Sequence, residues 1–154
     1  MKSINQYITE KLIIKKRKYN YFPKTREDLI KCITEHLNNK NTDLSDIDVS
    51  NVTSFESVFH KIALPKYRDF EEIDVTGWNT SNVIDMKRMF FNCFKLKKIK
   101  GIEDWDVSNV TDMHGMFYGC PKLNIDLSNW NLNPECDIEK IVYNSEFVIL
   151  PKLY

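Results

Sequence analysis

The chain has 154 residues, and its 22 Lys and Arg side chains balance 22 Asp and Glu, so the formal net charge is zero. This balance excludes a chain that is basic throughout, and 42% apolar residues exclude a disordered linker. No apolar run approaches the roughly 18 residues of a membrane-spanning helix. The first residues also lack the apolar core of a secretory signal, so we expect a cytoplasmic protein without membrane contact.

Residues 1–42 differ from the rest of the chain, and we expect them to form a helical N-terminal cap. Apolar residues at helical spacing between 4 and 12 predict a first short helix. A second helix is predicted after Thr25, because Thr25 and Asp28 have the spacing of an N-terminal capping box and Leu29 starts an apolar face. A stack of repeats needs such a cap to cover the apolar core of its first unit.

Residues 43–142 contain four related segments, of which the last is degenerate. Their sequences are DVSNVTSFESVF, NTSNVIDMKRMF, DVSNVTDMHGMF and NLNPECDIEKIV, starting at 48, 79, 106 and 131. The offsets between these starts are 31, 27 and 25 residues. This period is close to that of leucine-rich repeats, which is about 20–29 residues.

Each unit contains the pattern of one short helix and one short strand. In the third unit, Val110, Met113 and Phe117 recur at helical spacing, and residues 123–127 alternate like a strand. Such a unit buries its apolar face only when copies stack. We therefore predict an α/β repeat solenoid of leucine-rich-repeat type, with about four repeats over 43–142. A capping tail is predicted over 143–154, with a dimer contact as the alternative.

The strings SNVTDMHGMFYGCPKLN and DLSNW resemble the BspA-like leucine-rich-repeat family, whose units run W-D-V-S-N-V-T-x-M-x-x-M-F-x-x-C-x-x-L-N-x-D-L-S. The resemblance covers roughly 43–142 and implies a short-repeat solenoid, for which surface adhesion or host-protein binding is the usual assignment. Similar repeats occur in phage and mobile-element proteins behind a head that resembles YFPKTREDLI. The resemblance therefore implies a non-catalytic protein–protein recognition module, in particular a phage- or mobile-element-encoded inhibitor of a host or defence-system protein. A fragment of a surface-adhesion repeat protein is an alternative.

Eight Asp and Asn side chains recur around the predicted strands and are the candidate partner-binding residues. Stacking would place them in rows that suit a basic protein partner. Side-chain hydrogen bonding within turns and calcium binding are the alternatives. The eight residues are Asp46, Asp48, Asp74, Asn79, Asp104, Asp106, Asp126 and Asn131.

A basic and aromatic segment near the start is the candidate nucleic-acid surface. Its residues are Lys15, Lys16, Arg17, Lys18, Tyr19 and Tyr21. Single-stranded nucleic acid binds such segments through phosphate contacts and base stacking. Binding of nucleic acid is the alternative to protein recognition.

Motifs for catalysis or metal binding are not found in the sequence. The four cysteines form no C-x-x-C pair, and the three histidines, His36, His60 and His114, stand in unrelated contexts. We expect no enzymatic activity, no metal site and no cofactor.

Overall fold

The computed structural model describes residues 19–61 and 70–152, in which short elements are joined by turns. The elements are α1 (Arg26–Asn38), α2 (Val58–Lys61), β1 (Glu72–Asp74), β2 (Lys98–Lys100), a 3-10 helix (Ile102–Asp104), β3 (Ile125–Asp126) and β4 (Val148–Ile149). In these residues, no helix has the length and apolar character needed to cross a membrane. The predicted helix between 4 and 12 lies outside the described residues.

Helix α1 begins where the capping pattern predicts. Thr25 Oγ1 accepts a hydrogen bond from the backbone N–H of Asp28 at 3.1 Å, which satisfies one of the amides that a helix start leaves unpaired. Leu29 and Ile33 on this helix are fully buried, and the helix packs against α2 of the first repeat. The apolar face of this helix is therefore buried on the first repeat; its role as a cap stays a prediction.

Successive repeats lie side by side and pair in parallel. β1 pairs with β2 and β3 with β4, and single bridges join Ser54, Asp85, Asp112 and Asp137 in that order. Beside these bridges, backbone N–H groups of each repeat donate to carbonyls of the next repeat. Phe59 N–H donates to Met89 O (3.0 Å), Phe90 N–H to Met116 O (2.9 Å) and Phe117 N–H to Ile141 O (2.8 Å). We call this arrangement the stack.

The predicted short helix is present only in the first repeat, as α2, among the described residues; elsewhere it is a series of turns. One left-handed residue lies at the same position of every repeat, at Ser57 (φ 56°), Arg88 (φ 51°), Gly115 (φ 60°) and Lys140 (φ 56°), and α2 starts only after it. The second to fourth repeats have a further left-handed residue four positions later, at Asn92 (φ 59°), Gly119 (φ 71°) and Asn144 (φ 57°), where the first repeat has the helical Lys61. A left-handed residue interrupts the hydrogen bonds of an α-helix. The backbone amides donate to the next repeat instead, so the stack replaces the helix.

The strand register differs from the sequence alignment at one residue. Alignment places Asp74 and Gly101 at the same position, but the β1–β2 register pairs Asp74 with Lys100. The Lys100 Nζ atom lies 2.6 Å from Asp74 Oδ2. Gly101 is thus an extra residue between β2 and the 3-10 helix, and it takes a left-handed conformation with φ 86°.

The three tryptophans occupy one column of the core, as their shared repeat position predicts. Trp78 and Trp105 are each 4% exposed and their rings stack at 5.9 Å, while Trp130 is 5% exposed. Phe55 packs edge-on against both Trp78 and Trp105. Phe59, Phe90 and Phe117 form a second column of the core. The Phe90 ring centroid lies 4.8 Å from that of Phe59 and 5.6 Å from that of Phe117.

Replacing Trp78 by phenylalanine should cost about 1 kcal/mol more in free energy of unfolding than replacing Trp105. Trp78 Nε1 donates to Leu44 O at 2.9 Å, whereas Trp105 Nε1 is buried without an acceptor in the described part of the chain. Urea denaturation of both variants, followed by circular dichroism, measures the difference. Equal losses would show that the Trp78 hydrogen bond adds nothing to stability.

Candidate functional site

Most of the eight candidate Asp and Asn residues are used by turns. Asp48, Asn79 and Asp106 each accept a hydrogen bond from the backbone N–H two residues later, at 3.0, 3.2 and 3.1 Å. Asp74 and Asp126 close turns in the same way, both at 2.9 Å. The local hydrogen bond is the usual reason for Asp and Asn in turns. The recurrence of these residues therefore has a structural cause.

The other three candidates have different surroundings. Asp46 is half-buried, and its Oδ1 lies 2.9 Å from His36 Nε2 while its Oδ2 accepts from Asn20 Nδ2 at 2.8 Å. Asp104 lies at the end of the 3-10 helix and is exposed, as is Asn131. In the part of the chain that the structure describes, no hydrogen bond or ion pair joins these three side chains to the turn residues.

The Asp106 turn offers a direct test of its electrostatics. Ser108 donates from both its hydroxyl (2.6 Å) and its backbone N–H (3.1 Å) to Asp106 Oδ1, and these bonds hold the pKa of Asp106 below its ordinary value. A carboxyl group with a lowered pKa stabilises the fold above its unfolded pKa and loses that contribution as the pH falls through its folded pKa.

Ser108→Ala should therefore raise the pKa of Asp106, and it should reduce stability at neutral pH more than at acid pH. A ¹³C NMR titration of the carboxyl groups measures the shift. Asp126, in a different turn, is the internal control and should not move. An unchanged pKa of Asp106 would show that the hydroxyl does not act on it.

A different surface combines a row of aromatic rings, three half-buried and the last one exposed, with cations. Four rings occupy one repeat position: His60, Phe91, Tyr118 and Tyr143. The His60 and Phe91 rings meet edge-on at 5.1 Å, and the next two pairs stack at 4.8 Å and 4.9 Å. Tyr143 at the end of the row is 60% exposed. We call this row, with Arg88 and Lys140 beside it, the aromatic edge.

The cations of the aromatic edge lie at the left-handed turn position. Arg88 and Lys140 occupy that position in the second and fourth repeats, and the Arg88 guanidinium lies 5.5 Å from the Phe91 ring centroid. Between them stands Gly115, whose missing side chain leaves a notch. The notch opens into a cleft of about 420 Å³. Its lining residues are Arg88, Phe91, His114, Gly115, Tyr118, Lys140 and Tyr143.

The charge around this cleft is mixed. His114 Nδ1 lies 3.9 Å from both Asp137 Oδ2 and Glu139 Oε2, and Lys140 Nζ lies 3.1 Å from Glu139 Oε1. Acidic groups beside the cations disfavour a phosphate backbone as the ligand. Aromatic rings with mixed charges are typical of protein–protein interfaces.

The candidate nucleic-acid segment is described only in part. Lys15, Lys16, Arg17 and Lys18 lie outside the described residues. Tyr19 is half-buried, and its hydroxyl donates to Gly77 O at 3.4 Å. The Tyr21 backbone bridges to Ile47, and its ring packs edge-on against His36 at 4.6 Å. Both tyrosines thus contact the fold rather than standing free.

The cysteines show no arrangement for metal binding in the part of the chain that the structure describes, where no cluster of three metal-ligating side chains occurs. Cys93 and Cys120, which share a repeat position, are both buried. Burial raises the pKa of the Cys136 thiol to about 11, which keeps it protonated at neutral pH.

Comparison with known proteins places the chain in one family. No curated protein and no solved structure matches it. One family model matches residues 28–148, which is more than half of the chain and covers most of α1 and of the stack, together with the aromatic edge. The chain therefore belongs to the family described as "Mycoplasma protein of unknown function, DUF285".

Proposed function

We propose that this chain is a non-catalytic protein-recognition module whose parallel stack is a short solenoid of the BspA-like type, with turns in place of most of the repeat helices. The match to the DUF285 family and the four stacked repeats support this reading. A stack of repeats offers an extended, ordered lateral surface, which suits recognition of another macromolecule.

The observation that carries the proposal is the aromatic edge. Three of its rings recur in consecutive repeats and form a continuous row that ends on Tyr143, beside Arg88 and Lys140. Tyrosine and arginine are the side chains that most often dominate the affinity of protein interfaces. We therefore place partner binding on this edge, because most of the candidate Asp and Asn residues are already hydrogen-bonded within turns.

The chemistry of the edge favours a protein over a nucleic acid. Phe91, Tyr118 and Tyr143 already stack on one another at 4.8 and 4.9 Å, which takes up ring faces that a base would need. Non-specific binding of single strands needs several open ring faces along a basic groove. Origin in a phage or mobile element, inhibition of a defence system and a cytoplasmic location stay predictions.

The proposal predicts that Tyr143→Ser lowers recovery of the partner at least about tenfold, as loss of an interface hot spot does. The tagged chain and its variants are used as bait in lysate of the source cell, and bound protein is quantified by mass spectrometry. Phe94→Ser is the matched control, because Phe94 is a 48% exposed aromatic residue outside the aromatic edge.

Asp106→Ser tests the acidic rows in the same experiment and should leave recovery unchanged. Circular dichroism checks that each variant is folded. If Asp106→Ser lowered recovery of the partner and Tyr143→Ser did not, the binding site would lie on the Asp and Asn rows instead. Co-purification of nucleic acid without a stoichiometric protein would contradict the proposed function.

A further inference from the structure

One row of backbone amides in the fourth repeat has no acceptor within residues 19–61 and 70–152. In the third repeat, four alternate N–H groups donate to the fourth repeat. The bonds run from Met113 to Asp137 O (2.7 Å), Gly115 to Glu139 O (3.0 Å), Phe117 to Ile141 O (2.8 Å) and Gly119 to Tyr143 O (2.9 Å). The equivalent amides of the fourth repeat, 25 residues later, belong to Ile138, Lys140, Val142 and Asn144.

These four amides have no hydrogen-bond acceptor in the described parts of the chain. Because the fourth repeat follows the third in parallel, its four N–H groups point away from the stack. We call this row the outer edge. An edge of unpaired backbone groups is a template for pairing with another chain.

The opposite end of the stack is closed. Arg26 Nη1 donates to Glu56 O at 3.2 Å, and Glu56 is equivalent to Lys87 and His114, whose carbonyls accept from the preceding repeat. Helix α1 also packs there, with Leu29 and Ile33 fully buried. The outer edge is therefore chemically distinct from the capped end.

Apolar surface accompanies the outer edge. Ile138 and Val142 are only half-buried, although the equivalent Met113 and Phe117 are fully buried under the next repeat. A cleft of about 430 Å³ lies at the same end, lined in part by Trp130 and Ile138. A further repeat would cover this apolar surface in the way that the fourth repeat covers the third.

The hydrogen-bonding pattern selects the occupant. Two outer edges cannot pair with each other, because each presents four donors and, by equivalence to Thr111, one acceptor at Cys136. The first repeat of a second copy cannot dock there either, since α1 and Arg26 cover it. The occupant must present carbonyl oxygens in the register of a further repeat.

We propose that the outer edge binds a repeat-like extended segment of a second polypeptide, which adds in parallel as a fifth layer of the stack. The segment's carbonyls accept from Lys140, Val142 and their neighbours, and its apolar side chains cover Ile138 and Val142. This binding continues the interface between the third and fourth repeats. It uses the backbone N–H of Lys140 but does not require the aromatic rings of the aromatic edge.

Charge adds a further requirement on the segment. Within the stack, Lys87 Nζ lies 3.4 Å from Asp112 Oδ2, and His114 Nδ1 lies 3.9 Å from Asp137 Oδ2, so a lysine or a histidine side chain faces the turn Asp of the next repeat. The equivalent residue of the fourth repeat is Glu139, whose side chain is 65% exposed. A segment with Asp at its turn position meets a like charge, and one with Asn keeps the turn without the repulsion.

The test uses a synthetic peptide with the sequence of residues 106–119, in its native form and with Asp112→Asn. Each peptide is titrated into the ¹⁵N-labelled full chain. We expect shifts and slower hydrogen exchange at the amides of Lys140, Val142 and Asn144. The Asn form should bind about twofold to fivefold more tightly than the native form at low salt.

Glu139→Gln in the protein should remove the difference between the two peptides, which a purely apolar association would not do. A scrambled peptide is the negative control. Absence of shifts at the outer edge at millimolar peptide, or shifts confined to Phe91 and Arg88, would overturn the inference. Neither result bears on partner binding through the aromatic edge, which Tyr143→Ser tests separately. The two proposals can therefore fail independently.

Discussion

Phe90→Ala should lower the free energy of unfolding by about 3–5 kcal/mol. Phe90 is fully buried, and its ring stacks between Phe59 and Phe117 at centroid distances of 4.8 and 5.6 Å. Removal of the ring leaves a cavity between repeats that cannot collapse, because the backbones on both sides are held by inter-repeat hydrogen bonds. Urea denaturation, followed by the fluorescence of the buried tryptophans, measures the loss.

Phe94→Ala is the matched control, since Phe94 is 48% exposed and its truncation should change stability by less than about 0.5 kcal/mol. Phe90→Leu keeps most of the volume and should cost less than about 1.5 kcal/mol, so it gives a measurable value even where Phe90→Ala does not fold. Similar losses for Phe90→Ala and Phe94→Ala would show that the column of stacked rings does not hold the repeats together.

The apolar part of this structure is visible in the sequence. Trp78, Trp105 and Trp130 share a repeat position, and all three are buried in one column. The Thr25 cap and the apolar face that starts at Leu29 likewise predict α1. The tryptophan column is a periodic burial pattern and Thr25 is a local cap. Both can be recognised in the sequence, because they depend on residue spacing and on residues close together in the chain.

The turns were not predictable in the same way. Met86, Met89 and Phe90 have helical spacing, yet they lie on turns, because left-handed residues at Arg88 and Asn92 interrupt the helix on both sides of Met89 and Phe90. Arginine carries no local preference for that conformation, in contrast to glycine at the equivalent position 115. The hydrogen bonds to the neighbouring repeat decide the backbone here, and they depend on residues about 25 positions away.

The candidate site shows the same division. Recurrence identified Asp48, Asp106 and Asp126, but their recurrence reflects turn hydrogen bonds. The aromatic edge was missed, although Phe91 and Tyr118 directly follow the buried column of Phe90 and Phe117. Extending the repeat alignment by one residue finds it. Only the structure shows that the rings stack on one exposed side and that Arg88 and Lys140 flank them.

Gly101→Ala should destabilise the chain by about 2–5 kcal/mol, since it combines two costs. Gly101 has φ 86°, where a side chain is strained. A Cβ atom at this position would also lie 2.6 Å from Thr76 Cα and 2.8 Å from Thr76 N. Both atoms belong to the backbone of the neighbouring repeat, so no side-chain rotation relieves the clash and the register after β2 must shift.

Gly115→Ala separates the two costs, because Gly115 also has a positive φ of 60° but the nearest atom to its added Cβ is 3.6 Å away. This variant should lose only the conformational part, about 1–2 kcal/mol. Thermal and urea denaturation of both variants measure the difference, and hydrogen exchange at Ile99 and Lys100 reports the strand register directly. If the two variants were equally stable, the close approach of Gly101 to Thr76 would not constrain the fold, and the extra residue after β2 would be a tolerated insertion rather than a fixed contact between repeats.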